Sequence, residues 1–176
     1  MRGESPRCIY NMIILQDTRE TLPLDFTNVN SLLYKRYVDS TERLTLPFGD
    51  YGCKYNDGWI SNTFYERKSL PDLWKTLATK TGHRRFKDNF NRAHLLGVEL
   101  VLIVEKPLSS ILKDHTFNKL GRQVKSAYAG HSMTKLLYTL QRKYGIRVVC
   151  CKDRSDMVLH IVNDYIAIGK LRYNKK

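Results

Sequence analysis

The chain has 176 residues, enough for one domain with a sizeable core, and its 42% apolar and 27% charged residues are ordinary for a globular protein. No apolar run is long enough to cross a membrane and no secretory core is present, so we expect an intracellular protein, in the cytoplasm or nucleoid of a prokaryotic or virus-infected cell or in a eukaryotic nucleus. The net charge of +13 favours a polyanionic partner such as nucleic acid, although a merely soluble basic protein would show the same excess.

The first half of the chain is predicted to be rich in strands. Apolar residues recur at helical spacing from Val29 to Tyr37, with Thr27 or Asn28 available as a helix cap. The segment Asn56-Asp57-Gly58 favours a hairpin turn because its residues tolerate positive φ. The predicted strands of this half lie at Met12–Asp17, Glu42–Leu46, Asp50–Tyr55 and Trp59–Lys68.

The second half alternates helices and strands. Ser69 and Asp72 form a capping pattern at the start of one helix, Gly145 stops another, and Ser155 is the expected cap of the last. The apolar run Val98–Val104 suits a central buried strand. The predicted helices are Leu70–Thr79, Arg84–Leu96, Met133–Tyr144 and Ser155–Ile168, and the predicted strands are Val98–Val104 and Arg147–Cys150. A β-rich half followed by this alternation predicts an α/β sandwich around a mixed sheet.

The short run Glu66-Arg67-Lys68 carries the clearest chemistry. Side chains alternate across a strand, so Glu66 and Lys68 share one face while Arg67 points to the other. Asp50, after the flexible Gly49, opens the preceding strand, and a hairpin can bring its carboxylate to Glu66. Two carboxylates with open water positions are what Mg²⁺ or Mn²⁺ requires, and Lys68 would orient or help deprotonate the attacking water. A surface hairpin with solvated charges is the other interpretation of this pattern.

A longer pattern surrounds this trio. It consists of Asp17-Thr18-Arg19-Glu20, Leu46-Pro47-Phe48-Gly49-Asp50-Tyr51 and Glu66-Arg67-Lys68-Ser69-Leu70-Pro71-Asp72-Leu73. These segments resemble the nuclease domain of the XPF family of structure-specific endonucleases, which carries GD, a variable stretch, ERK, three residues and D. The resemblance continues more weakly through Arg85–Asn89 and Val101–Glu105, and covers roughly residues 12–168.

This resemblance implies a restriction-endonuclease-like core and cleavage of DNA near branches with Mg²⁺ or Mn²⁺. It implies that Asp17 joins Asp50 and Glu66 around the metal, with Glu20 as an outer member of the site. Arg67 is expected to serve the local scaffold or the DNA, with its backbone carbonyl within reach of the metal.

Several supporting residues also have simpler interpretations. Asp72 can do no more than cap its helix, and Glu20 can be a solvated charge at the end of a strand. Arg19 can pair with a neighbouring carboxylate, and Glu105 can be exposed at the tip of its strand. The sequence alone leaves these alternatives open.

A basic segment that follows the trio is the expected DNA contact. Lys75–Arg92 contains six basic residues and one acidic residue. Arg85, Asn89 and Arg92 fall on one helical stripe that could follow a phosphate backbone. A solvated helix face would show the same pattern.

The chain departs from the XPF family in two ways. Asn89 stands where glutamine is commoner, which puts the detailed DNA contacts in doubt. We assign residues 1–11 to a short leader and 12–176 to a single nuclease domain, which leaves no room for the tandem helix-hairpin-helix module that usually follows. Selectivity for branches therefore does not follow from the resemblance alone.

The expected partners are DNA, in particular branched DNA, and a second copy of the chain. Two C-terminal segments, Ser132–Tyr144 and Ser155–Ile168, carry generous apolar stripes that a single small sheet would not obviously cover, which favours a homodimer. The alternatives are a monomer whose helices both pack on its own sheet and a catalytically silent DNA-binding or scaffold subunit.

Overall fold

The structure is a computed structural model that describes residues 10–27, 32–114, 116–119, 122–126 and 128–173. Its strands are β1 (Met12–Asp17), β2 (Val38–Leu44), β3 (Tyr51–Tyr55), β4 (Thr63–Lys68), β5 (Glu99–Val104), β6 (Thr116–Lys119), β7 (Arg122–Lys125) and β8 (Val148–Cys150). Its helices are α1 (Leu32–Tyr37), α2 (Leu70–Leu77), α3 (Lys80–Leu95), α4 (Leu108–Lys113), α5 (Ala129–Tyr144) and α6 (Arg154–Tyr173).

Six strands form one mixed sheet in the order β2-β1-β3-β4-β5-β8, and β6 and β7 form a separate hairpin. Strand β1 is parallel to β2 and antiparallel to β3, and β3 is antiparallel to β4. Strands β4, β5 and β8 run parallel to one another. The carboxyl ends of these three strands therefore share one edge of the sheet, and the predicted mixed sheet is confirmed.

Helices cover both faces of the sheet. On one face, α6 packs against β1, β3 and β5 through residues such as Ile161 and Tyr165. On the other face, α2, α3 and α5 pack against the same sheet. Strand β5 serves both layers, because Val101 and Ile103 face α6 whereas Leu102 faces the other helices. None of the described helices is long and apolar enough to cross a membrane.

The apolar stripes of the two C-terminal helices are covered by the chain itself. Met133 and Leu137 of α5 are buried in one core cluster, and Ile161 and Tyr165 of α6 are buried in the other. The expectation that one small sheet would leave such a stripe uncovered is therefore wrong, because the two helices use opposite faces of the sheet.

Two predicted boundaries are also wrong. Helix α6 is capped by Asp153, whose carboxylate accepts from the backbone N–H of Asp156 at 3.0 Å, so Ser155 lies in the first turn and does not cap it. Tyr10 was assigned to the leader, yet its side chain is 3% exposed and its hydroxyl donates to the carbonyl of Ile166 at 2.6 Å. The packed domain therefore includes Tyr10.

Other elements differ in extent. The fourth strand begins at Thr63, after the predicted start at Trp59, because the carbonyl of Trp59 closes the preceding turn by accepting from the N–H of Tyr55 at 2.8 Å. Helix α3 begins at Lys80, four residues early, because Thr79 caps it through the N–H of Gly82. Helix α4 and the β6–β7 hairpin were not predicted. The predicted cap Asn28 and the neighbouring Val29 lie outside the described residues.

Candidate active site

Predicted site residues converge at the edge where β1 and β4 end and β3 begins. Asp17 is the last residue of β1, and its backbone N–H donates to the carbonyl of Asp50 at 2.9 Å. Asp50 directly precedes β3, and its N–H donates to the carbonyl of Tyr65 at 2.7 Å. Glu66 and Lys68 follow on β4, so four predicted residues lie at this edge.

Gly49 explains the tight turn that delivers Asp50 to the site. Its φ is +62°, a backbone conformation that residues with a side chain rarely adopt. A Cβ added there would lie 2.6 Å from the carbonyl oxygen of Tyr65, which is the oxygen that accepts from Asp50. Only glycine permits this close approach between the turn and β4.

The carboxylates of Asp50 and Glu66 interact electrostatically. Asp50 Oδ2 accepts from the backbone N–H of Arg67 at 2.7 Å, which fixes this carboxylate beside β4. Burial and then the charge of Glu66 raise the pKa of Asp50 from 3.8 to about 7, against the hydrogen bond from Arg67 and the charge of Lys68. Burial, more than the charge of Glu66, therefore disfavours the ionised form of Asp50, and the charge of Lys68 offsets these two effects only in part.

Lys68 is the cation nearest to this pair. Its ammonium donates to Glu66 Oε1, and the two side chains are only 17% and 19% exposed. Burial opposes the charge on Lys68, but the interaction with Glu66, helped by Asp50, outweighs burial and raises the pKa of Lys68. The amine is therefore protonated at neutral pH, which favours an electrostatic role over that of a proton acceptor.

The carboxylate of Asp17 is hydrogen-bonded mainly to Arg19. Asp17 Oδ1 accepts from the backbone N–H and from Nε of Arg19, both at 2.7 Å, and Oδ2 accepts from Arg19 Nη2 at 2.8 Å and the N–H of Leu46 at 2.7 Å. The side-chain bonds from Arg19 outweigh burial and lower the pKa of Asp17 to about 2. Coordination of a metal by Asp17 would require one of these bonds to break, and that role stays a prediction.

Arg67 and Glu20 form a buried ion pair at the same edge of the sheet. Arg67 Nη2 lies 3.1 Å from Glu20 Oε1, and Arg67 Nη1 lies 2.8 Å from Glu105 Oε2, with the side chain of Arg67 only 7% exposed. Glu20 is therefore not a solvated charge, and Glu105 is paired at the end of β5. The side chain of Arg67 links β4 to Glu20 and Glu105, and its backbone N–H donates to Asp50 and fixes that carboxylate.

Asp72 bonds to Ser69, the cap of α2, and lines a groove beside Glu66. Its backbone N–H donates to Ser69 Oγ at 3.3 Å, and Ser69 Oγ donates to Asp72 Oδ2 at 2.6 Å. The groove has a volume of about 640 Å³. It is lined by Glu66, Lys68, Asp72, Lys75, Thr76, Thr79, Thr81, Gly82, Arg85, Phe86 and Asn89.

The predicted DNA stripe on α3 flanks this groove. Arg85 and Asn89 line it, and Arg92 stacks its guanidinium over the ring of Phe48 at 4.9 Å. Phe48 immediately precedes the turn at Gly49, so the whole stripe lies next to the edge of the sheet that carries Asp50 and Glu66. The sequence analysis gives no role to the groove threonines Thr76, Thr79 and Thr81, although these three residues cluster in the sequence where α2 ends and α3 begins.

The chemistry of the donor set suits a small, hard cation. Among the described residues, no group of three or more His, Cys, Asp or Glu side chains could hold a metal ion. Asp50 and Glu66 each use one carboxylate oxygen in a protein hydrogen bond, which leaves the other for a cation. Because Mg²⁺ is usually held by one or two carboxylates together with waters and phosphates, this pair fits it.

The sequence matches the ERCC4 domain over residues 16–163. The chain belongs to the ERCC4 domain family. This match confirms the predicted relationship to the XPF-family nuclease domains and makes the chain a member of a DNA endonuclease family. No curated protein matches the chain.

Solved structures share the fold of this ERCC4 domain. XPF from Aeropyrum pernix has 22% sequence identity and a TM-score of 0.54, over 93% of this chain and 66% of that chain. XPF from Aeropyrum pernix in complex with DNA has 20% identity and a TM-score of 0.53, over 91% of this chain and 66% of that chain. The ERCC4 domain described here therefore has the predicted restriction-endonuclease-like fold and spans 66% of the length of these chains.

The metal-free ERCC4 domain should become less stable as the pH rises, because folding then requires Asp50 to take up a proton or to carry a buried charge. The folded pKa of Asp50, about 7, exceeds its ordinary value of 3.8, so between these values the folded chain holds a proton that the unfolded chain has lost. In EDTA we expect the free energy of unfolding to fall across this window, by on the order of 2 kcal/mol. Urea unfolding at several pH values measures this.

Asp50→Asn should flatten the pH dependence, whereas Asp88→Asn, at an exposed carboxylate on α3, should not. An unchanged slope in Asp50→Asn would show that another group titrates.

Proposed function

We propose that this chain is a Mg²⁺- or Mn²⁺-dependent DNA endonuclease that hydrolyses phosphodiester bonds. The observation that carries the proposal is the interacting carboxylate pair Asp50 and Glu66, with Lys68 bonded to Glu66 and with Glu66 and Lys68 lining an open groove. Membership of the ERCC4 domain family supports the same chemistry.

The proposed chemistry divides among the residues at this edge. Asp50 and Glu66 would hold the metal ion, which when bound supplies a more acidic water and offsets negative charge on the phosphate. Lys68 would contact the scissile phosphate and offset charge that develops in the transition state. Asp17 would join the two carboxylates at the metal after one of its bonds to Arg19 breaks. The pKa of Arg19 is raised chiefly by Asp17 and to a smaller extent by the charges of Asp50 and Glu66.

A catalytically silent DNA-binding or scaffold subunit is the second candidate. A silent subunit needs the basic surface but has no use for two partly buried carboxylates whose charges interact. Such a pair destabilises the metal-free fold, because like charges have to share a site. The pairing of Lys68 with Glu66, together with the electrostatic interaction between Glu66 and Asp50, therefore favours the enzyme.

We propose that the preferred substrate is branched DNA, such as a flap or fork, and that the chain cuts it inside the cell. A junction bends and opens more easily than intact duplex, so bringing its phosphate to the carboxylates costs less deformation. Labelled flap, fork, junction, single-stranded and linear substrates, each incubated with Mg²⁺, test this. We expect faster cutting of the branched substrates, and equal cutting of linear duplex would contradict the preference without affecting the metal site.

Binding of DNA should weaken steeply as salt rises, because phosphate contacts release counterions. Arg85→Ala and Arg92→Ala should each reduce the slope of log affinity against log salt by about 0.9. Fluorescence anisotropy in EDTA measures the slope without cleavage. Lys170→Ala, on the opposite face of the sheet, should leave it unchanged. Slopes that are unaltered in both α3 variants would place the path of the DNA elsewhere.

We propose a homodimer as the working unit, supported by the resemblance to XPF-type nuclease domains. Light scattering at micromolar concentration should then give twice the 20.6 kDa mass of the chain. A single-chain mass throughout would contradict the homodimer and would leave the proposed chemistry intact.

A further inference from the structure

The solvent-facing side of α5 carries a stripe of basic and aromatic residues. His131, Lys135, Tyr138 and Arg142 are spaced by four, three and four residues, and all four are exposed. Tyr138 is 52% exposed, and Tyr128, directly before the helix, is 75% exposed. We call these five residues the α5 stripe.

The charge of the α5 stripe is not neutralised within the part of the chain that the structure describes. No hydrogen bond or ion pair from a described residue reaches the side chain of Lys135 or Arg142. Residues 115–152 contain eight Lys or Arg residues and no Asp or Glu. The stripe is therefore a positive surface that suits a polyanion.

The α5 stripe starts near the edge of the sheet that carries Asp50 and Glu66, which we call the catalytic edge in view of the proposed function. Helix α4 follows Glu105, and Gly130 in the first turn of α5 packs so closely on α4 that an added Cβ would lie 2.3 Å from the carbonyl oxygens of Ile111 and Leu112. From there α5 runs back across the sheet to Gly145, which ends it with a φ of 65° before β8. From His131 to Arg142 the stripe is about 17 Å long.

We propose that the α5 stripe binds an unpaired DNA strand that leaves the catalytic edge, an inference that rests on the proposed function. Exposed tyrosine rings offer faces on which bases stack, and the interleaved cations can pair with phosphates. Stacking needs bases whose faces are free, which a duplex does not offer. A symmetric contact between two copies through this face would bring like charges together, so the charge pattern favours DNA over a second chain.

The test compares a fork that has an unpaired thymine arm with a blunt duplex of the same paired sequence, by fluorescence anisotropy in EDTA. Tyr138→Leu and Arg142→Gln should each weaken binding of the fork about tenfold and change binding of the blunt duplex little. Tyr138→Phe keeps the ring and should bind as the wild type does. Lys170→Gln removes one positive charge from α6 on the opposite face and should also bind normally.

Equal loss on both DNAs, or no loss on the fork, would overturn the α5 proposal. So would a change in molecular mass in Tyr138→Leu, because it would identify the stripe as a contact between chains. Cleavage with Mg²⁺ is scored separately: a selective loss of fork binding by a protein that does not cleave would sustain this inference and remove the proposed activity. Normal cleavage, together with fork binding that is unaltered in the variants, would support the proposed activity and contradict the α5 proposal.

Discussion

Asp50→Asn and Glu66→Gln should each abolish detectable cleavage while leaving the protein folded. Each substitution removes a carboxylate from the pair proposed to hold the metal ion, and bound metal stabilises the transition state by several kcal/mol, which corresponds to about a thousandfold in rate. Single-turnover cleavage of a labelled branched substrate measures the loss. Asp88→Asn makes the same chemical change on α3 at an exposed carboxylate and should cleave normally.

The binding of Mn²⁺ separates loss of the metal from loss of the fold. Electron paramagnetic resonance should show that the wild type binds Mn²⁺ and that both carboxylate variants bind it far more weakly, with circular dichroism spectra unchanged. Full cleavage by the two folded variants would remove Asp50 and Glu66 from the chemistry.

Lys68→Ala should lose turnover and keep most of its affinity for DNA. Lys68 is one contact in a broad basic surface, so its removal should change the dissociation constant only a few-fold. At the scissile phosphate, loss of a positioned cation costs about a hundredfold in rate. The measurements are anisotropy in EDTA and single-turnover cleavage at saturating DNA.

Lys75→Ala is the matched control for Lys68, because Lys75 lines the same groove without contacting the carboxylates. It should weaken binding and leave turnover at saturating DNA unchanged. Normal turnover in Lys68→Ala would mean that Lys68 serves only to neutralise Glu66 in the fold.

The sequence predicted those parts of the fold that local signals determine. Ser69 and Asp72 cap α2 because the two residues lie within one helical turn, and Gly145 ends α5 because it adopts positive φ. Alternation along Glu66-Arg67-Lys68 correctly separated the arginine from the other two side chains. The short β6 and β7 strands have too few residues for a period-two pattern, and they were missed.

The side-chain contacts around the site join residues that are distant in sequence, so the sequence did not predict them. Arg67 pairs with Glu20, 47 residues away, and with Glu105, 38 residues away, and no local pattern signals either pair. The four hydrogen bonds that fill Asp17 include one from Leu46, which is brought near by the pairing of β1 and β2. The structure shows Asp17 holding Arg19, a contact that the sequence left open, and the metal-ligand role that the resemblance implies for Asp17 stays a prediction.

Addition of a metal ion to a preformed complex with DNA tests the central claim most directly. The wild-type chain is bound to a labelled fork in EDTA, and Mg²⁺ or Mn²⁺ in excess of the chelator is then added. Our account predicts a stable gel shift before the addition and cleaved products with free 5′ or 3′ ends after it, for the wild type but not for Asp50→Asn. Products that form in EDTA, or a complex that persists uncut with both metals, would contradict a metal-dependent endonuclease.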